Sequence, residues 1–228
     1  MLGDLWSFQG RYRTLHLTWI AFFLTFVVWF NLAPLATTVK ADLGLTVGQI
    51  RTVAICNVAL TIPARVLIGM LLDKFGPRIT YSSILVFSAI PCLLFASAQD
   101  FNQLVVARLL LSIVGAGFVI GIRMVAEWFP PKEIGLAEGI YGGWGNFGSA
   151  FSALTMVALA GFLSFSGGFE LPTGAVLNWR GAIALTGIVS AVYGLFYFFN
   201  VTDTPPGKTY QRPCLLYTSD AADESRGV

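Results

Sequence analysis

Apolar residues fall in six long runs separated by short polar links, at approximately Leu15–Val39, Val47–Leu72, Ile79–Ala98, Gln103–Phe129, Leu136–Phe165 and Trp179–Val201. Each is long enough for the ~20 residues an α-helix needs to cross a bilayer. The runs do not alternate apolar and polar positions as strands would, so the pattern predicts an all-α membrane protein of six transmembrane helices. The links carry breakers: Gly76-Pro77, Pro130-Pro131, Gly167-Gly168 and Pro205-Pro206-Gly207. The first run follows Arg11 and Arg13, the charge order of a signal peptide. It is too long for a signal core and other runs follow, so it reads as an uncleaved first helix.

Basic residues orient the spans. Arg11, Arg13, Lys74, Arg78, Lys132, Lys208 and Arg212 fall on one side, and Lys40, Arg51 and Arg180 on the other. The richer side is expected to be cytoplasmic, with both ends of the chain inside and the protein in the cell's inner (plasma) membrane. Residues 1–14 then form a cytoplasmic N-terminus, 15–204 the six-helix bundle and 205–228 a cytoplasmic linker and tail. Trp6, Trp19, Trp128 and Trp179 lie near span ends, as interfacial anchors would.

Composition agrees: 56% of the 228 residues are hydrophobic, 11% are charged, and the mean hydropathy is +0.73. The formal net charge is +2 with no basic run, which gives no footprint for nucleic acid. Cys56 and Cys92 lie in spans and Cys214 in the tail, with neither disulfide nor metal spacing. His16 is the sole histidine, so a zinc site or Ser-His pair has little to draw on, and no cofactor is implied.

Polar residues inside the spans carry the candidate chemistry. Arg65 lies roughly two turns from the nearer end of the second run, where a charge costs up to roughly 2.5–3.5 kcal/mol on insertion scales. Steps of four place Asn57, Thr61, Arg65, Gly69 and Asp73 on one helix face. Its planar fork of donors suits a small planar oxyanion, and equally a carboxylate buried in the same bundle. Span five is dense in glycine around Asn146, which permits close backbone contact or leaves room for substrate. Arg123 and Glu127 are four apart and suit a local pair. No carboxylate lies clearly mid-membrane, and no paired acids or activated nucleophile suggest an enzyme.

Gly69-Met70-Leu71-Leu72-Asp73-Lys74-Phe75-Gly76-Pro77-Arg78 resembles the signature loop of the major facilitator superfamily. Arg108 followed by Gly115, Gly117 and Gly121 resembles a second motif of that superfamily, and Gly117 and Gly121 form a small-xxx-small pair. Gly142-Gly143-Trp144-Gly145-Asn146-Phe147-Gly148 is similar to the nitrate signature of its nitrate/nitrite porter family. Ile62-Pro63-Ala64-Arg65 resembles that family's substrate arginine segment. Phe26-Val27-Val28-Trp29 and Gly115-Ala116-Gly117-Phe118 resemble the segments of its aromatic walls. The likeness runs from about Leu15 to Thr204 and is strongest to the cyanobacterial porters.

The resemblance implies a twelve-helix transporter of which this chain is the N-terminal half, two inverted three-helix repeats. It implies transport of nitrate or nitrite by alternating access, with Arg65, Phe26, Phe118 and Asn146 at the substrate. Gly69, Asp73, Gly76, Arg78 and Arg108 would serve the signature loop and gating. Gly117, Gly121, Gly142, Gly145 and Gly148 would pack helices. The partners implied are the anion, the bilayer and the absent C-terminal six-helix half. Two alternatives stay open: a major facilitator for another small or organic anion, or an inactive truncated fragment. The tail from Cys214 to Glu224 resembles the translation of a transposon-based sequencing adapter, so residues from Cys214 on are left out of the fold.

Overall fold

The computed structural model describes residues 7–210, and the adapter-like tail lies outside them. Six helical spans of bilayer length run Gly10–Asp42, Val47–Phe75, Pro77–Ser97, Phe101–Trp128, Ile134–Ser166 and Trp179–Asn200. They match the six apolar runs to within a few residues, one or two turns at most at the ends of spans one and two.

Four of the spans are broken, and three breaks have the same cause. Helix α1 (Gly10–Phe30) stops four residues before Pro34, and a 3₁₀ turn leads to α2 (Ala36–Asp42). Helix α3 (Val47–Ala59) stops four residues before Pro63, which sits in α4 (Thr61–Phe75). Helix α5 (Pro77–Phe87) stops four residues before Pro91, in α6 (Ala89–Ser97). A proline ring collides with the carbonyl four residues back and supplies no amide, so the helix yields at that carbonyl. The fourth break, a 3₁₀ turn at Ile113–Gly117 between α7 (Phe101–Ser112) and α8 (Phe118–Trp128), has no proline. There Gly115 lies against the Trp29 indole, and a Cβ would overlap the ring. Helix α9 (Ile134–Phe162) and helix α10 (Trp179–Asn200) are unbroken.

The freed backbone groups find partners. The Trp29 indole N–H donates to Asn57 O at 2.7 Å, and Thr61 Oγ1 donates to Ser112 O at 3.1 Å. Such repairs make breaks tolerable at membrane depth. The Asn57–Asp73 face read from steps of four therefore does not survive the break at Leu60. Asn57 and Thr61 turn into the bundle, while Arg65 is exposed.

Span one is the hub, packing on spans five, six and four, and span two packs on span four. At one end a two-stranded antiparallel hairpin, Phe169–Glu170 with Val176–Leu177, joins spans five and six. The sequence showed only a glycine-rich link there, because two-residue strands leave no periodicity. Trp179 is not an interfacial anchor: it is buried and donates to Asp42 Oδ2 at 2.8 Å. Trp19 is half-buried ten residues into α1 and donates to His16 Nδ1, while Trp6 lies outside the described residues. At the other end, residues 201–210 cross the ends of spans two to four. Trp128 Nε1 donates to Thr202 O at 3.2 Å, and Lys208 pairs with Glu127 at 3.1 Å. The Arg123–Glu127 pair read from the sequence is formed at 2.9 Å.

Candidate functional site

Spans two and five are the least covered by their own bundle. In their most apolar stretches 33% and 22% of the residues are buried, against 39–56% in the other four spans. Arg65 and Asn146 stand on these two spans, and both are exposed. No ion pair to Arg65 forms among the described residues, whose paired carboxylates Asp42, Glu127 and Glu133 are held by other cations. Asn146 donates to Gly142 O of its own helix at 2.7 Å, a bond that leaves the acceptor capacity of its amide oxygen unused.

The glycines of α9 divide between two faces. A Cβ at Gly145 would overlap the Phe22 ring, and one at Gly148 would overlap the Phe23 carbonyl. These two fix the close approach of α9 to α1. Gly135, Gly139, Gly142 and Gly143 meet nothing within 4 Å. Gly142 is thus not a packing glycine of this bundle, and it shares the open face with Asn146. Gly69 likewise has nothing within 4 Å. Gly121 does pack, against the Tyr141 ring, and Gly117 lies in ordinary contact with Thr25 and Tyr81.

Spans one and four both pack on span five and carry the candidate aromatic residues. Phe26 and Phe118 are half-buried. Both rest on the fully buried Phe22, with ring centres 4.4 Å and 5.2 Å away. Phe118 also stacks on Tyr141 at 6.1 Å. Tyr141 donates to Phe118 O at 3.0 Å, so the ring is tied to the start of α8. Phe22 and Tyr141 were missed in the sequence. The signal was present, since Phe22 lies one turn before Phe26 and Tyr141 interrupts a glycine run.

Arg108 is buried with 2% of its surface exposed and forms no ion pair among the described residues. It donates to Asn31 Oδ1 at 3.0 Å and Trp29 O at 2.8 Å, and its cation lies 5.7 Å from the Phe95 ring centre. Asn31 donates on to Thr186 at 3.1 Å. The guanidinium thus caps the C-terminal end of α1, where carbonyls attract a cation, and links spans one, four and six. Glu138 lies in the second turn of α9 with one carboxylate oxygen buried and unpartnered. It lies inside the span, near its start.

The signature-loop residues gather at the 201–210 end. Gly76 has φ +83°, a conformation few residues other than glycine adopt. The Arg78 amide donates to Asp203 Oδ1 at 2.7 Å. Burial pushes the Asp203 carboxyl up, and the Arg78 amide and guanidinium pull it partly back. Asp73 is half-exposed and has no hydrogen bond or ion pair among the described residues.

The model of the Major Facilitator Superfamily matches residues 18–214. This chain belongs to the Major Facilitator Superfamily. Like other major facilitators it is a multi-pass membrane protein. Two curated relatives are named nitrate/nitrite transporter NrtP. That of Picosynechococcus sp. is 63% identical over 93% of this chain and 42% of its own length. That of Nostoc punctiforme is 61% identical over 93% of this chain and 41% of its own. The chain thus spans about two fifths of the length of the curated relatives it matches. The same fold is seen in the crystal structure of a bacterial homologue of the human lysosomal transporter Spinster, in an inward-facing and occupied conformation. It superposes with a TM-score of 0.68 at 21% identity, over 90% of this chain and 47% of that one.

Proposed function

We propose that this chain is the N-terminal half of a nitrate/nitrite transporter that works by alternating access, and not an enzyme. The observation that carries the reading is that Arg65 on span two, with no ion pair among the described residues, and Asn146 on span five are both exposed on the two least covered spans, which we read as one open face. An exposed arginine at membrane depth needs either water or an anion, and a second bundle facing it would enclose both. Small residues around Asn146 suit close approach of another helix. The names of the two cyanobacterial relatives supply the substrate class.

In this reading residues 15–204 form the bundle, and the 69–78 loop and both chain ends face the cytoplasm of an inner (plasma) membrane. Phe26 and Phe118 wall the anion. Their ring faces are electron-rich, so the attraction comes from Arg65 and the rings act by edge and stacking contact. Asp73, without a hydrogen bond or ion pair among the described residues, contacts the second bundle in one conformation and releases it in the other.

Two expected outcomes follow. Residues 1–213 alone in proteoliposomes carry no nitrate, whereas the same residues joined to the second half of the Picosynechococcus relative restore uptake. Uptake by residues 1–213 alone would contradict the half-transporter reading. In the joined protein, Asp73→Asn slows uptake but leaves nitrate affinity within about threefold, under 1 kcal/mol of binding energy. A loss of affinity as large as that from an Arg65 substitution would make Asp73 a substrate residue instead.

A further inference from the structure

The loop between spans two and three is held by a stretch of chain more than a hundred residues away. Gly76 lies against Asp203, and a Cβ at Gly76 would stand 2.8 Å from Oδ1. That oxygen accepts the Arg78 amide, so the carboxylate lies across the first turn of α5. Helix starts expose amides without partners and favour negative charge. The Arg78 guanidinium lies 4.6 Å from the ring centre of Phe198, near the end of α10. On the other side of the loop, Tyr210 donates to Leu72 O at 3.1 Å. Both ends of the loop are therefore tied to span six and the residues that follow it, while Asp73 between them has no hydrogen bond or ion pair among the described residues.

We propose that Asp203 is a positioning residue of the transport cycle. It locks the 69–78 loop to the end of span six, so that Asp73 is presented to the second bundle at a fixed place. The proposal rests on the half-transporter reading. Gly76 serves it twice: its positive φ turns the chain into α5, and its missing side chain leaves space for the carboxylate. Asparagine at 203 keeps an acceptor oxygen but loses the charge that suits a helix start. Alanine leaves the Arg78 amide open.

The test uses the two-bundle transporter in proteoliposomes, with nitrate as substrate. Hydrogen exchange at residues 74–80 reads the anchor, and initial uptake rates per folded molecule read kcat and KM. For Asp203→Ala, exchange rises about tenfold and kcat falls about tenfold, with KM within about threefold, the signature of a step other than binding. Asp203→Asn shifts both in the same direction by a smaller factor, and it decides the matter if the alanine variant does not reach the membrane. Unchanged exchange or unchanged kcat in a folded variant overturns the proposal. So does a rise in KM matching that of Arg65→Lys, which would place Asp203 at the substrate. If the unsubstituted transporter carries no nitrate, the functional reading fails, while the exchange measurement still tests the anchor.

Discussion

Arg65→Lys in the two-bundle transporter weakens nitrate binding roughly 10- to 150-fold while the protein still folds. Lysine keeps the charge but replaces the planar fork by a point donor, which cannot meet two oxygens of a flat anion at once. Losing charge-assisted hydrogen bonds of this kind costs on the order of 1.5–3 kcal/mol, which corresponds to that range of dissociation constants. Folding is expected to survive because Arg65 is exposed and pairs with nothing among the described residues. Calorimetric titration with nitrate checks the prediction. An unchanged dissociation constant in folded Arg65→Lys protein would leave Arg65 as a structural cation paired with the second bundle.

The second large effect separates two glycines three residues apart. Gly145→Leu pushes into the fully buried Phe22 ring at the contact between α9 and α1, the most extensive helix pair in the bundle. Overpacking of that kind costs about 1–3 kcal/mol, and more where neighbours cannot move. At roughly 2–4 °C per kcal/mol for a chain of this size, the unfolding temperature of residues 1–213 drops by several degrees. Gly142→Leu meets only open space, so it leaves that temperature unchanged. In the joined transporter the order reverses: Gly142→Leu blocks the closing face and abolishes uptake with folding intact. Equal thermal losses for both variants would show that the two faces of α9 are not distinct.

The six spans could be read in the sequence because about 20 apolar residues in a row have few other uses. The breaks could have been read too, since Pro34, Pro63 and Pro91 each fix the carbonyl four residues back. Treating the runs as continuous instead put Asn57 and Thr61 on the face of Arg65, and the break at Leu60 turns them inward. The break before Phe118 was less accessible, because it depends on Trp29 of another span lying against Gly115. Residue types at the candidate site were legible, but their directions were not. All the span-five glycines look alike in sequence, and which of them pack is decided by where α1 lies. Asp203 was hidden for a similar reason: its partners at Gly76 and Arg78 belong to a different loop, and its own neighbourhood reads as a polar link.

The central claim is that the open face of this bundle grips a small planar anion against a second bundle. Initial uptake of isotopically labelled nitrate by the two-bundle transporter in proteoliposomes, with unlabelled competitors, tests it most directly. Nitrate is expected to enter, nitrite to compete, and tetrahedral sulfate to have no effect, since a bidentate fork beside aromatic walls selects flat anions. Entry of another anion with nitrate neither carried nor competing would contradict the account.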